Sequence, residues 1–224
     1  MGIKPSSKIL KRSGAILVAI GFIDLAILLY CTIGQIPYPS RFNLVAALAG
    51  VLLLGDNLRA ATIVRWFAAL GFGGVVAFIF AFPFIQPLDL TLTYLRLEPA
   101  AIVPSMVTAV LLVVVLFWLC CELGRKPVQA AMRAARVKPW DIGIAAVVGA
   151  VLVAGIAVAA TLLLNSDDVA QVEALAQQRW GRDYSYHVSS LSATQGRRGT
   201  TIKGEITAWN DQEIRRIPIN FQMP

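Results

Sequence analysis

The chain is poor in the side chains that most metal and cofactor sites need. Its 224 residues include one histidine and three cysteines, and only 15% of them are charged. Cys31, Cys120 and Cys121 lie inside or at the ends of apolar runs, and their spacing matches no metal site. The single histidine, His187, lies outside the apolar runs, which excludes a bis-histidine haem within them. We therefore expect no metal and no cofactor.

Sequence motifs of common enzyme classes are missing as well. There is no phosphate-binding glycine loop, no His-Glu-x-x-His helix and no Cys-x-x-Cys pair. Gly71, Gly73 and Gly74 form a cluster inside an apolar run, which favours close helix packing rather than nucleotide binding. The chain is more typical of a protein that is not an enzyme, although a catalytic chemistry without a signature stays open.

Long apolar runs dominate the remainder of the chain. Hydrophobic residues make up 57% of it, and the mean hydropathy is +0.68. A helix of about 20 apolar residues crosses a hydrocarbon core that is about 30 Å thick. We therefore predict an α-helical polytopic membrane protein with a membrane block at residues 14–164. Its five predicted spans, of which the second is short, are residues 14–34, 43–60, 66–86, 101–121 and 141–164.

The positive charges distinguish a topology of five spans from one of four. With five spans, the inner segments 1–13, 56–65 and 122–140 carry eleven Lys and Arg, whereas the outer loops carry only Arg41 and Arg96. With four spans, the basic residues of 122–140 would lie outside, against the positive-inside rule. We therefore predict five spans, a cytoplasmic N-terminus at 1–13 and an extracytoplasmic tail, in a bacterial cytoplasmic membrane. The net charge of +7 belongs to these loops and does not indicate nucleic-acid binding.

Three features are predicted in the loops. Residues 88–97 alternate polar and apolar side chains, which is typical of an extended strand. Residues 127–138 have the pattern of a basic amphipathic helix that lies on the inner leaflet. Asp56 and Arg59 are three residues apart, so we expect them to form an ion pair at the inner interface.

The tail, residues 165–224, is predicted to form a small α+β domain. Asn165 begins a helix that ends near Gly181, and three alternating runs follow as strands. The order of elements is therefore α-β-β-β. The tail carries seven basic and seven acidic residues, so its net charge is zero. Its candidate partner surface consists of Tyr184, Tyr186, His187, Arg197, Arg198 and Trp209. We interpret His187 as a solvent-facing strand residue rather than as a general base.

Two further features lie in the predicted spans. Asp24 is in the middle of the first span, where a charged carboxylate costs about 2.5–3.5 kcal/mol. It is either a proton or cation relay or a strut that hydrogen-bonds to another helix, and the strut is favoured because no second ionisable group lies at similar depth. The last span has a stripe of small residues that favours close helix packing, namely Ala146, Gly149, Ala150 and Ala154.

Two functions fit this sequence. The first is a non-enzymatic accessory, assembly or scaffolding subunit that acts through its extracytoplasmic domain. The second is a small proton- or cation-coupled transporter that uses Asp24. The expected partners are the lipid bilayer and a membrane protein, or a second copy of the chain.

Overall fold

The computed structural model describes residues 5–35, 44–164, 177–178, 181, 184–196 and 199–223. These residues form seven helices followed by three strands. The helices are α1 (Pro5–Ile33), α2 (Leu44–Leu54), α3 (Leu58–Ile85), α4 (Leu88–Leu97), α5 (Pro99–Glu122), α6 (Lys126–Ala134) and α7 (Ile142–Leu164). The strands are β1 (Ser185–Gly196), β2 (Gly199–Trp209) and β3 (Ile214–Met223). The predicted tail helix between 165 and 181 lies largely outside the described residues.

Four helices, α1, α3, α5 and α7, are long and apolar enough to cross a membrane. The predicted second span contains α2, which has 11 residues. Such a helix is about 16 Å long, roughly half of a hydrocarbon core. It ends at a turn in which Asp56 has a φ of 56°, and Asn57 then accepts hydrogen bonds from the Arg59 and Ala60 amides to begin α3. The part of the chain that the structure describes is thus mostly helical with four candidate spans, and a fifth is not confirmed.

The chain divides into two compact units. The first contains Met1–Val76 and Leu112–Val151, and the second contains Ala77–Leu111 and Leu152–Pro224. In the first unit α1 packs against α2 through glycines. A Cβ atom on Gly14 would lie 2.7 Å from the Gly50 carbonyl oxygen, and one on Gly21 would lie 2.6 Å from the Ala47 Cβ. The missing side chains therefore let the two backbones approach closely.

The first unit also contains the closest contact between α3 and α7. A Cβ atom on Gly73 would lie within 3.0 Å of the Ala146 carbonyl oxygen, and one on Gly149 would lie equally close to that of Leu70. The structure thus places Ala146 and Gly149 of the predicted stripe against α3. Ala150 is half-buried and Ala154 is exposed.

The loop ends of the helices in the first unit are joined by polar and aromatic contacts. Ser7 donates a hydrogen bond to Asp56 at 2.8 Å, and the Lys11 ammonium lies 3.8 Å from the same carboxylate. The predicted Asp56–Arg59 pair is therefore wrong, because Asp56 binds the first turns of α1 instead. The Arg12 guanidinium lies 5.9 Å from the centroid of a Trp118 ring. These contacts hold α1, the α2–α3 turn and α5 together at one end.

Helix α6 has its apolar face covered by protein. Val128 is fully buried and Met132 nearly so, and both belong to the core that contains Leu10 and Leu53. Arg136, with a φ of 54°, follows the end of the helix. The bundle itself therefore buries this face, and the expectation that the helix lies on the inner leaflet stays a prediction.

In the second unit, the loop between α3 and α5 forms a helix. Residues 88–97, predicted as a strand, form α4, and this prediction is wrong. Asp89 in its first turn and Arg96 in its last turn complement the helix dipole, and the Thr93 hydroxyl donates to the Asp89 carbonyl at 2.8 Å. Leu90 is buried while Leu92 is exposed. Residues two positions apart therefore lie on different faces, as in a helix and unlike in a strand.

The three predicted strands are present, and they form an antiparallel sheet in the order β1-β2-β3. Tyr186, Val188, Ile206 and Ala208 are buried together on one face. Pairing of β1 with β2 shifts register between Val188 and Ser190. The Arg216 guanidinium of β3 lies 4.0 Å from the Glu98 carboxylate at the end of α4, which links the sheet to the loop between α3 and α5.

Candidate functional site

The second unit contains a groove between α4 and the end of the sheet. Its volume is about 510 Å³, within the range of about 300–1,000 Å³ that is usual for small-ligand sites. One wall is a single face of α4, since the residues of that wall have helical spacing. The other wall is formed by the start of β1 and the turn between β2 and β3. The lining residues are Asp89, Leu92, Thr93, Arg96, Tyr184, Ser185, Trp209, Asn210 and Asp211.

The turn that forms the sheet wall is fixed by its own hydrogen bonds. The Asn210 side-chain oxygen accepts from the Gln212 amide at 2.9 Å and from the Glu213 amide at 2.8 Å. This arrangement is an Asx turn, which an asparagine at the start of a hairpin connection favours. Trp209 immediately precedes the turn and is only 8% exposed. The groove therefore has a rigid floor beside the exposed Asp211.

Tyr184 is held at the groove wall by charged neighbours. Its hydroxyl donates to the Glu213 carboxylate, which also lies 2.7 Å from the Arg215 guanidinium. That guanidinium lies 5.5 Å from the centroid of the Tyr184 ring. The hydrogen bond to Glu213 raises the pKa of Tyr184, and the hydrogen bonds from Tyr184 and then Arg215 lower the pKa of Glu213. Tyr184 is thus a neutral donor whose ring is fixed in place.

The groove itself carries three charged side chains. Asp89, Arg96 and Asp211 are exposed, and none of them forms an ion pair with another described residue. Leu92 is 63% exposed beside them. The groove therefore combines a net negative charge with apolar surface, which suits a segment that carries a basic side chain.

Other residues of the predicted partner surface lie elsewhere. Tyr186 is buried in the sheet and donates to the Gly181 carbonyl at 2.9 Å. His187 is half-buried rather than solvent-facing; burial lowers the pKa of its imidazole, while hydrogen bonding to the Ile85 backbone raises it. Arg197 and Arg198 lie outside the described residues. Among the described members of the predicted set, Tyr184 and Trp209 line the groove.

Sequence reasoning missed the charged residues of this site. Asp89 and Arg96 belong to a segment that we interpreted as a strand, and Asp211 lies between two of the predicted strands. An acid at the start and a base at the end of residues 88–97 are a helix signal. If this signal is given more weight than the polar–apolar alternation, residues 88–97 are predicted as a helix with Asp89 and Arg96 on one face.

Asp24 and the other potential metal ligands of the described residues do not form a cluster. Asp24 is half-buried within α1, in the first unit. Within the described residues, no group of three or more His, Cys, Asp or Glu side chains is arranged to hold a metal ion. Comparison with known proteins finds no matching family, no matching curated protein and no matching solved structure.

Proposed function

We propose that this chain is a non-enzymatic accessory or scaffolding subunit of a membrane assembly, and that it holds a protein partner in the groove between α4 and the sheet. The observation that carries the proposal is the set of three charges in that groove, Asp89, Arg96 and Asp211, that have no ion-pair partner among the described residues. Charges that the protein leaves unpaired are free to fix the register of a partner. The ring of Tyr184, held by Glu213 and Arg215, supplies apolar contact area at low entropic cost.

The partner that fits this groove is a polypeptide segment with a basic side chain next to an apolar one. Two carboxylates and one guanidinium line the groove, so a basic group meets a net attraction there. The exposed Leu92 gives the neighbouring apolar side chain a surface to cover. A membrane-protein subunit with a short basic loop has this chemistry, and so does a second copy of the chain.

In the proposed topology the chain crosses a bacterial cytoplasmic membrane five times, and the groove faces away from the cytoplasm. The contacts of Asp56 with Ser7 and Lys11 support this. They bring the turn after α2 to the starting end of α1, a helix of spanning length.

The first prediction tests the proposed orientation. In a variant without the three native cysteines, Gln212→Cys is expected to react with a membrane-impermeant maleimide on intact cells. Lys126→Cys is expected to react only after the membrane is permeabilised. Both positions are exposed in the folded chain, so access to the reagent is the only difference. The reverse pattern, or equal labelling of the two sites on intact cells, would contradict the five-span topology.

Affinity purification in a mild detergent tests the function itself. We expect a protein to co-elute in stoichiometric amount and to crosslink to the groove through a photoreactive group at Leu92. A protein that elutes alone, with no crosslink in the membrane before extraction, would contradict the proposal. A crosslinked second copy of the chain would identify the scaffold as a homo-oligomer.

The alternative is a small proton- or cation-coupled transporter that uses Asp24. It is supported by the position of this carboxylate, half-buried within a candidate span. Ionisable residues in spans often mark ion pathways. Under the accessory-subunit proposal, Asp24→Asn keeps a donor and an acceptor and is expected to preserve expression, detergent stability and co-elution of the partner. A stable Asp24→Asn protein whose host loses a transport activity of the wild type would instead favour the transporter.

A further inference from the structure

The first unit contains a second groove, which is apolar along most of its length. Its volume is about 520 Å³, and its walls come mainly from α2 and α3. Val45, Leu48 and Phe67 in these walls are each more than half exposed, so protein does not cover them. In a membrane this surface faces lipid, and a recess of this size admits a chain of hydrocarbon rather than water.

The length of the groove matches one leaflet. Its α2 wall extends from Val45 to Leu52, and α2 as a whole is 11 residues long. At about 1.5 Å per residue α2 measures about 16 Å, while half of a hydrocarbon core is about 15 Å. A single acyl chain of one leaflet therefore fits along the groove, whereas a spanning helix of a partner would extend well beyond it.

One end of the groove is polar and positively charged. Asn57 and Arg59 line it there, at the start of α3. Asn57 is used to cap the helix, and Asp56 is engaged by Ser7 and Lys11. The exposed Arg59 forms no ion pair with any described residue. Its guanidinium is therefore available to an anion at the mouth of the apolar groove.

We propose that this groove binds an anionic phospholipid, with one acyl chain between α2 and α3 and the phosphate against Arg59. Two observations point to this occupant, namely an apolar recess one leaflet long and an unpaired cation at its end. Neutral lipids share the hydrocarbon, but Arg59 favours a headgroup with net negative charge. The site is separate from the partner groove of the second unit and does not depend on the proposed function.

Native mass spectrometry of the full chain in detergent tests the headgroup preference. The probes are dioleoyl phosphatidylglycerol and dioleoyl phosphatidylcholine, added separately at equal concentration. We expect phosphatidylglycerol to remain bound more strongly to the wild type. Arg59→Gln should reduce this preference about fivefold, because one basic residue near an anionic headgroup contributes about 1 kcal/mol. Arg133→Gln, which changes an exposed arginine of α6 that does not line the groove, should leave the preference unchanged.

Filling the groove tests the acyl-chain site. Ile63 lines the groove and is 43% exposed, whereas Ile79 on the same helix is 52% exposed and does not line it. Ile63→Trp is expected to abolish retention of the tightly bound lipid, and Ile79→Trp to preserve it. Equal retention of the two lipids by the wild type, no effect of Arg59→Gln, or unchanged retention by Ile63→Trp would each overturn the proposal. A second copy of the chain in the groove, detected as a lipid-free dimer, would overturn it as well.

Discussion

Gly149→Ala is expected to destabilise the protein by about 1–3 kcal/mol, the usual cost of overpacking a close contact. The added Cβ would lie within 3.0 Å of the Leu70 carbonyl oxygen. That atom belongs to the backbone of α3, so it cannot rotate away as a flexible side chain would. Helices α3 and α7 must then separate along their contact, which also loosens the approach of Gly73 to Ala146. Since lipid provides no hydrophobic drive to restore the contact, the loss of packing is not recovered elsewhere.

Gly155→Ala on the same helix is the matched control. A Cβ at that position would meet no atom within 4 Å, so the substitution adds helix propensity without a clash. Unfolding in mixed micelles with increasing sodium dodecyl sulfate, followed by tryptophan fluorescence, measures both variants. We expect a lower midpoint for Gly149→Ala and an unchanged or slightly higher one for Gly155→Ala. Equal midpoints would show that α7 does not pack on α3 as described.

Neutralising the acidic side chains of the partner groove is expected to weaken partner binding about tenfold, or about 1.4 kcal/mol. The variant is Asp89→Asn combined with Asp211→Asn, which keeps the shape of both side chains. Neither carboxylate has a charged partner among the described residues, so the fold loses little. The proposed basic segment loses its attraction instead. Binding of the wild type should also weaken as salt concentration rises, because these charges are exposed.

A second double variant separates this effect from a general change of charge. Gln178→Lys combined with Gln212→Lys makes the same change of about +2 in net charge at exposed positions that do not line the groove. Recovery of the partner in pull-down from detergent extracts, at matched expression, compares the two. We expect the control to retain the partner at close to the wild-type level. Equal loss in both variants would mean that the groove is not the binding site.

The spans and the strands were accessible to sequence reasoning because each depends on local composition. Four runs of apolar residues form helices of spanning length, and the three tail runs pair as consecutive antiparallel strands. The structure of residues 88–97 could not be predicted in this way, since leucines at this spacing fit both a strand and a helix. The charges of Asp89 and Arg96 at the two ends are what favours the helix.

Contacts between distant residues could not be predicted from spacing. Asp56 has Arg59 three positions away, yet it binds Ser7 and Lys11, which the α1–α2 hairpin brings to it. The stripe on α7 was recognisable, but the rotation of that helix against α3 was not. It places Gly149 at the closest contact and leaves Ala154 exposed. The partner groove likewise forms only when α4 meets the sheet.

The order of pairing in the sheet has a consequence for how the second unit folds. Each strand pairs with its neighbour in sequence, so the hairpins close short loops and form quickly. The link from Arg216 to Glu98 instead joins segments that are far apart in the chain. Closing that long loop costs more entropy, so the sheet is expected to form first and to dock on α4 afterwards. During synthesis α4 is therefore made before the three strands, and the second unit cannot assemble until β3 has been made.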